Sequence, residues 1–239
     1  MGALLAALRL CGGAIPSWAQ APPVTAQVQI VKRTGNQTIG ASNAADASDV
    51  VVWLSPLEHA EEPPADRAPI PQMIQRDKTF EPHILVVQAG TIVQFPNKDP
   101  FFHNVFSLFN GKRFDLGLYE AGSGRTVRFD RAGVSFLFCN IHEEMSAVIV
   151  AVDTPYFGLS DRTGHLTIPR VPDGHYQMHV WYERSLAEDL KVLDRTVTVS
   201  SSARNLETIR VVNNPDFTLA HKNKYGEDYL PPPAMGYTK

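Results

Sequence analysis

The stretch Cys139-Asn140-Ile141-His142-Glu143-Glu144-Met145 sets a thiol, an imidazole and a thioether at the spacing Cys-x2-His-x2-Met. A thiolate is a soft, charged donor, an imidazole a borderline one and a thioether a weak one. Taken singly, each residue has an ordinary reading: Cys139 as a small buried hydrophobe, Met145 as core filler, His142 as a surface histidine. Together they ask for a metal, and a metal would need a second imidazole from elsewhere in the chain. His103 supplies it. In "TIVQFPNKDPFFHNVFS" a strand ends at Phe95, a turn follows and His103 opens the next strand. Asn104, directly after it, can hydrogen-bond backbone across the site or the cysteine sulfur and so lock the ligand loop.

Two imidazoles, one thiolate and a weak axial thioether form the donor set of a type 1 copper site. Zinc fits less well, because a thioether does nothing for it. The string "HEEMS" is no zinc-protease helix, since Ser146 stands where a second histidine would be needed. The sequence has no His-x-His pair from which to build a coupled copper cluster, which argues against an oxidase. The expected ligands of one copper are therefore His103, Cys139, His142 and Met145. His83 is a weaker candidate for the same end of the fold. His175 and His179 read as a solvent-facing strand pair, and His59, His165 and His221 as loop or tail residues.

The elements that must position these residues are strands. "TAQVQIV", "DVVVWL", "HILVVQ", "TIVQF", "RTVRF", "VSFLF", "AVIVAV", "YQMHVW", "RTVTVS" and "ETIRVV" are alternating or solid β-branched runs. Turn signals separate them at Gln88-Ala89-Gly90, Asn110-Gly111, Gly122-Ser123-Gly124, Asp173-Gly174 and Asn213-Asn214-Pro215. Short strands at this spacing imply an all-β chain built as sandwiches. Around the thiol, Phe136 and Phe138 point one way and Leu137 and Cys139 the other. A strand thus delivers Cys139, and the loop after it delivers His142 and Met145. From Asn214 onward the chain is polar and proline-rich and reads as an extended tail that wraps the fold or stays mobile.

The 239 residues are 44% hydrophobic and 20% charged, enough for one large or two small domains with a real core. The formal charge of −3 and the lack of a basic cluster argue against nucleic acid. Residues 1–19, "MGALLAALRLCGGAIPSWA", are apolar, carry no acid and end in the small residues Ser17 and Ala19, as an export signal does. The run is too short and interrupted for a membrane span. Cleavage before Gln20 would remove Cys11 and leave Cys139 as a single thiol in an oxidising compartment, which is a liability unless a metal occupies it. The sequon Asn36-Gln37-Thr38 is read as incidental.

The segment G-x-x-V-x-F-x-N-x-D…H-N-V-F, followed by C-x-x-H-x-x-M, resembles the cupredoxin family of plastocyanin- and amicyanin-like blue copper proteins, over about residues 24–152. The stretch "SDRTGHLTIPRVPDGHYQMHVW" resembles a carboxypeptidase regulatory-like, transthyretin-like sandwich over residues 153–213. The combination resembles bacterial proteins of the methylamine-utilisation or plastocyanin-like type. The resemblance implies a cupredoxin-like Greek-key sandwich at 20–152, a smaller transthyretin-like sandwich at 153–213 and a tail at 214–239. All four ligands would lie in the first unit, so that unit alone should bind copper. The segment Asp46 to Met73 has no counterpart in small cupredoxins and reads as an insertion. The implied function is an exported, periplasmic, non-enzymatic carrier of single electrons. Its partner would be a c-type cytochrome or a periplasmic dehydrogenase, steered by Glu143 and Glu144 beside the His142 edge. The other function compatible with the same ligands is copper storage, delivery or sensing.

Overall fold

The computed structural model describes residues 21–34, 37–39, 46–58, 69–108, 111–218 and 220–229. The leader reading at 1–19, Asn36, His59, residues 60–68 and residues 230–239 lie outside them. In chain order the strands begin with β1 (Val24–Thr34), β2 (Gln37–Ile39), β3 (Val51–Pro56), β4 (Ile74–Arg76), β5 (Thr79–Glu81) and β6 (Ile84–Gln88). Then come β7 (Thr91–Pro96), β8 (His103–Ser107), β9 (Phe114–Tyr119), β10 (Gly124–Phe129), β11 (Gly133–Phe138) and β12 (Ser146–Val152). The chain continues through β13 (Phe157–Leu159), β14 (His165–Ile168), β15 (Gly174–Trp181), β16 (Arg195–Val199) and β17 (Asn205–Asn213). One short helix, α1 (Ala187–Lys191), precedes β16. The expected all-β architecture is what the described residues form.

The strands stack in layers with three apolar clusters between them, because each alternating strand must bury one face and some must bury both. Sheet β14-β1-β17 faces sheet β13-β3-β15-β16, and Val28, Val52, Leu54, Leu166, Met178 and Ile209 fill the space between. The five-stranded sheet β6-β12-β11-β8-β9 faces the pair β10-β7, with Val93, Phe95, Val105, Phe129, Leu137 and Ile149 between. The outer face of that five-stranded sheet packs on β3, β13 and β15 through Val51, Trp53, Ile84, Val148, Val150 and Trp181. Strand β12 therefore sends Ala147, Ile149 and Ala151 to one core and Val148, Val150 and Val152 to another. Burial on both faces explains why "AVIVAV" is an unbroken apolar run.

The strand pairing corrects the expected division at residue 152. Strand β1 pairs antiparallel with β14 and parallel with β17, and β3 pairs with β13 and β15. Both belong to the second sandwich, although they precede the first in sequence. The segment read as an insertion at Asp46 to Met73 thus contributes a central strand to the other sandwich. The edge of the first sandwich is formed from residues 71–76, where the Met73 N–H donates to the Gln94 carbonyl and the Lys98 N–H to the Gln75 carbonyl. The metal-site sandwich is inserted into the second one. Hydrophobic alternation marks "TAQVQIV" and "DVVVWL" as strands, but it does not encode which sheet they join.

Candidate metal centre

Strands β8 and β11 are neighbours, with Phe106 opposite Phe138. That register brings the start of β8, His103, to the end of the sheet where β11 releases Cys139. Strands β11 and β12 form a hairpin closed by Phe138 opposite Ser146. Its loop is the Cys-x2-His-x2-Met segment itself. The Cys139 N–H donates to the Met145 carbonyl at 3.2 Å, and the Met145 N–H donates to the His142 carbonyl at 3.1 Å. A tight loop with internal bonds holds its side chains in a fixed arrangement.

The Cys139 sulfur lies 3.8 Å from His103 Nδ1 and 3.6 Å from His142 Nδ1. The three donor atoms all fall within 4.8 Å of one another. The two imidazole rings stand 4.9 Å apart at 61°. His103, Cys139 and Met145 are each 0% exposed, while His142 is only partly buried. Met145 sits in the same apolar cluster as Cys139. Burial pushes the Cys139 thiol up, against the opposing pull of the Asn104, Ile141 and His142 N–H groups that face the sulfur. His142 is held below the ordinary histidine value, first by burial and then by the charges of His103 and Lys78. A neutral imidazole is what a metal needs.

Behind His103 lies a carboxylate. Its Nε2 is 2.7 Å from Asp99 Oδ2, which leaves Nδ1 toward the sulfur. Asp99 is 5% exposed and also accepts the N–H groups of Asp77 at 2.7 Å and Lys78 at 3.0 Å. Those residues form the β4–β5 turn with φ of 52° and 56°, and the turn aims both N–H groups at one carboxylate. Burial alone would raise the Asp99 carboxyl, but the Lys78 N–H, His103 and the Asp77 N–H outweigh it and hold it below the usual carboxylate range. Asn97 shapes the turn between β7 and β8 that carries Asp99, donating from Nδ2 to the Phe101 carbonyl at 2.8 Å and accepting the Asp99 N–H at 3.0 Å.

The donor set fits copper. It offers one thiolate-forming sulfur, two imidazole nitrogens and a neighbouring buried thioether, with N–H groups already directed at the sulfur. A closed structural zinc site would lack its fourth protein donor, since no other His, Cys, Asp or Glu joins the cluster among the described residues.

No protein-family model matches the chain, and no curated protein does. Solved structures do. The neighbours include a purple cupredoxin, amicyanin variants and a copper-containing nitrite reductase. A purple cupredoxin from Nitrosopumilus maritimus is 23% identical over 34% of this chain and 99% of its own, with a TM-score of 0.32. A variant of amicyanin in its Cu(I) state is 20% identical over 42% of this chain and 98% of its own, with a TM-score of 0.33. A copper-containing nitrite reductase from Thermus scotoductus is 23% identical over 38% of this chain and 25% of its own, with a TM-score of 0.34.

The remaining expectations are met unevenly. Asn104 does not reach the sulfur with its side chain. Its Nδ2 donates to Asp115 Oδ1 at 2.7 Å and to the Gly117 carbonyl at 2.9 Å, tying β8 to β9, while its backbone N–H faces Cys139. Glu143 and Glu144 are exposed beside the partly exposed His142. His83 is not at the cluster; its ring lies 2.8 Å from Glu183 and 3.2 Å from the Ser146 carbonyl. His175 meets Thr198, and His179 stacks on Trp53 and pairs with Asp194. Sequence reasoning gave no role to Asp99, although it lies within the quoted motif four residues before His103. It also missed His221, Lys224 and Tyr229, which lie against the hairpin from the tail and carry no sequence signal for it.

Proposed function

We propose that this protein is an exported, periplasmic type 1 copper protein that carries single electrons and is not an enzyme. The observation that carries the reading is the burial of the site. His103, Cys139 and Met145 are sealed from solvent, and His142 alone among the four is only partly buried. Burial of three of the four donors leaves little room for a substrate at a metal held there, whereas an electron needs only a short route through one imidazole. Bound in such a set, copper gains and loses one electron. Asp99 fixes the His103 ring, three N–H groups fix the thiolate, and the closed hairpin limits movement between redox states. Storage or delivery would call for ligands that open readily, and these are packed into a core.

The surface around His142 supports docking of a redox protein. Phe101 is 36%, Phe102 54% and Ile141 45% exposed around the ring edge. Glu143 and Glu144 flank this apolar margin and would steer a partner with a basic face, such as a c-type cytochrome or a periplasmic dehydrogenase. Export rests on the residue pattern of 1–19. No helix among the described residues is long and apolar enough to cross a membrane.

Titration with Cu(II) should yield one intense visible charge-transfer band, and Cys139→Ser should abolish it. A band that survives in the variant overturns the site. Glu143→Lys together with Glu144→Lys should slow electron transfer to a basic cytochrome at low ionic strength, and the gap should close as salt rises. Equal stopped-flow rates at low salt reject the steering role. A copper-loaded wild type that passes electrons to no partner would favour storage, delivery or sensing.

A further inference from the structure

Beyond the second sandwich, residues 220–229 of the tail lie on the metal hairpin. The tail leaves the end of β17 under restraint. The Asn214 N–H donates to the Arg184 carbonyl at 2.6 Å, and the Ser185 hydroxyl donates to the Val212 carbonyl. Further on, the His221 ring stacks on Phe138 with centroids 3.9 Å apart and planes 23° apart. The Lys224 N–H donates to Asn140 Oδ1 at 3.0 Å. The Tyr229 hydroxyl donates to the Cys139 carbonyl at 2.7 Å, with His221 Nε2 3.0 Å away on its other side. These contacts fall on Phe138, Cys139 and Asn140 in turn. The Lys224 ammonium also pairs with Asp115 at 2.7 Å, the carboxylate that anchors Asn104.

The consequence for Cys139 follows from backbone geometry. Its N–H is held by the Met145 carbonyl and its C=O by the Tyr229 hydroxyl. Peptide groups are planar, so holding both planes that flank a Cα fixes φ and ψ there. The sulfur then keeps one freedom, rotation about χ1, and packing in the core restricts it to a single well. Without the tyrosine hydroxyl, the plane between Cys139 and Asn140 can tilt, and the sulfur tilts with it.

We propose that Tyr229 is a positioning residue of the metal site, reaching it from a tail that belongs to the other sandwich. The ligand hairpin is completed only when the chain's C-terminal segment is laid across it. This rests on the copper reading of the site. It extends that reading to a residue that shares neither strand nor loop with the ligands.

The test compares full-length wild type, Tyr229→Phe and the control Tyr225→Phe, a tail tyrosine that is 71% exposed. In the metal-free proteins, amide hydrogen exchange across Cys139–Met145 should speed in Tyr229→Phe and not in the control. On titration with Cu(II) against a competing chelator, Tyr229→Phe should bind about 10-fold more weakly, the usual scale for losing a group that orients a ligand. Its charge-transfer band should shift, while the urea midpoint of the metal-free chain stays with the control. Hairpin exchange and copper affinity equal to wild type overturn the proposal. So does a lowered urea midpoint with both of those unchanged, which would make the contact merely structural. A wild type that develops no charge-transfer band with Cu(II) overturns the copper reading instead, and the exchange measurement still decides whether Tyr229 holds the hairpin.

Discussion

Asp99 is the residue on which the site's internal order most depends after the donors themselves. It takes hydrogen bonds from the Asp77 and Lys78 N–H groups and meets His103 Nε2. An imidazole with one nitrogen bound to a carboxylate is fixed in tautomer and orientation, and its basicity rises. Asp99→Asn keeps the shape but offers one acceptor oxygen where two are used. Copper affinity should fall by about 10- to 100-fold while the chain still folds. Chelator competition checks this, and an affinity equal to wild type would show that the Asp99–His103 contact does not orient the ligand. Cys139 adds a proton to the same picture. Because burial pushes its thiol up, loading copper must displace a proton.

Among the elements, the β11–β12 hairpin matters most, and its two strands serve different neighbours. Leu137, Cys139, Ala147 and Ile149 face the first core, whereas Val134, Phe136, Val148 and Val150 meet the second sandwich. The alternation read from "VSFLF" holds, with Phe138 on the side away from Cys139. Phe138 is nonetheless 4% exposed, because His221 of the tail covers it. The pairing of β1 and β3 changes what truncation at Asp153 does. Such a chain loses β13 to β17 and leaves β1 and β3 with unpaired edges and a bare apolar face. It should aggregate. A chain running from residue 69 to 153 keeps the core around the site but bares Ile84, Val148 and Val150 on the outer face of its sheet; with those three changed to threonine it should stay soluble and bind copper, with the weaker retention that follows from losing the tail. Size-exclusion chromatography and copper titration of the two chains check this. A well-behaved monomer from the first would mean that β1 and β3 fold without the second sandwich.

Beside the apolar layer and the tail contacts, the two sandwiches also meet at a polar latch through His83. His83, ahead of β6, lies 2.8 Å from Glu183, just past β15, and 3.2 Å from the Ser146 carbonyl. Both ring nitrogens face acceptors, so both carry protons in the bonded state. The Glu183 carboxylate raises the His83 pKa, against an opposing effect of burial. A raised folded-state pKa gives stability that is fully present below the unfolded value of about 6.5 and lost as pH rises through the folded one. The ring is 39% exposed, so solvent screening limits the contribution to about 0.2–1 kcal/mol. Wild type should exceed His83→Gln in urea midpoint at about pH 5.5, and the difference should shrink by about pH 9. A difference that grows with pH would show that the latch is not an imidazolium pair.

The cluster of candidate donors was legible in the sequence because most of it is local. Cys139, His142 and Met145 sit in one loop, and the strand-turn-strand pattern ahead of His103 placed that residue at a strand start. The strands were legible too, since alternation and β-branching are properties of short windows. Sheet membership was not, because it depends on which apolar faces meet. Val28 and Val52 look the same in sequence whether they pack on Phe95 or on Met178. The Asp99 contact needed the β4–β5 turn folded against it, and the tail's contacts needed β17 to end near Arg184. Local spacing determined which atoms could hold a metal. Only the tertiary fold decided which strands surround them and which distant residues hold them in place, because these depend on contacts between segments far apart in the chain.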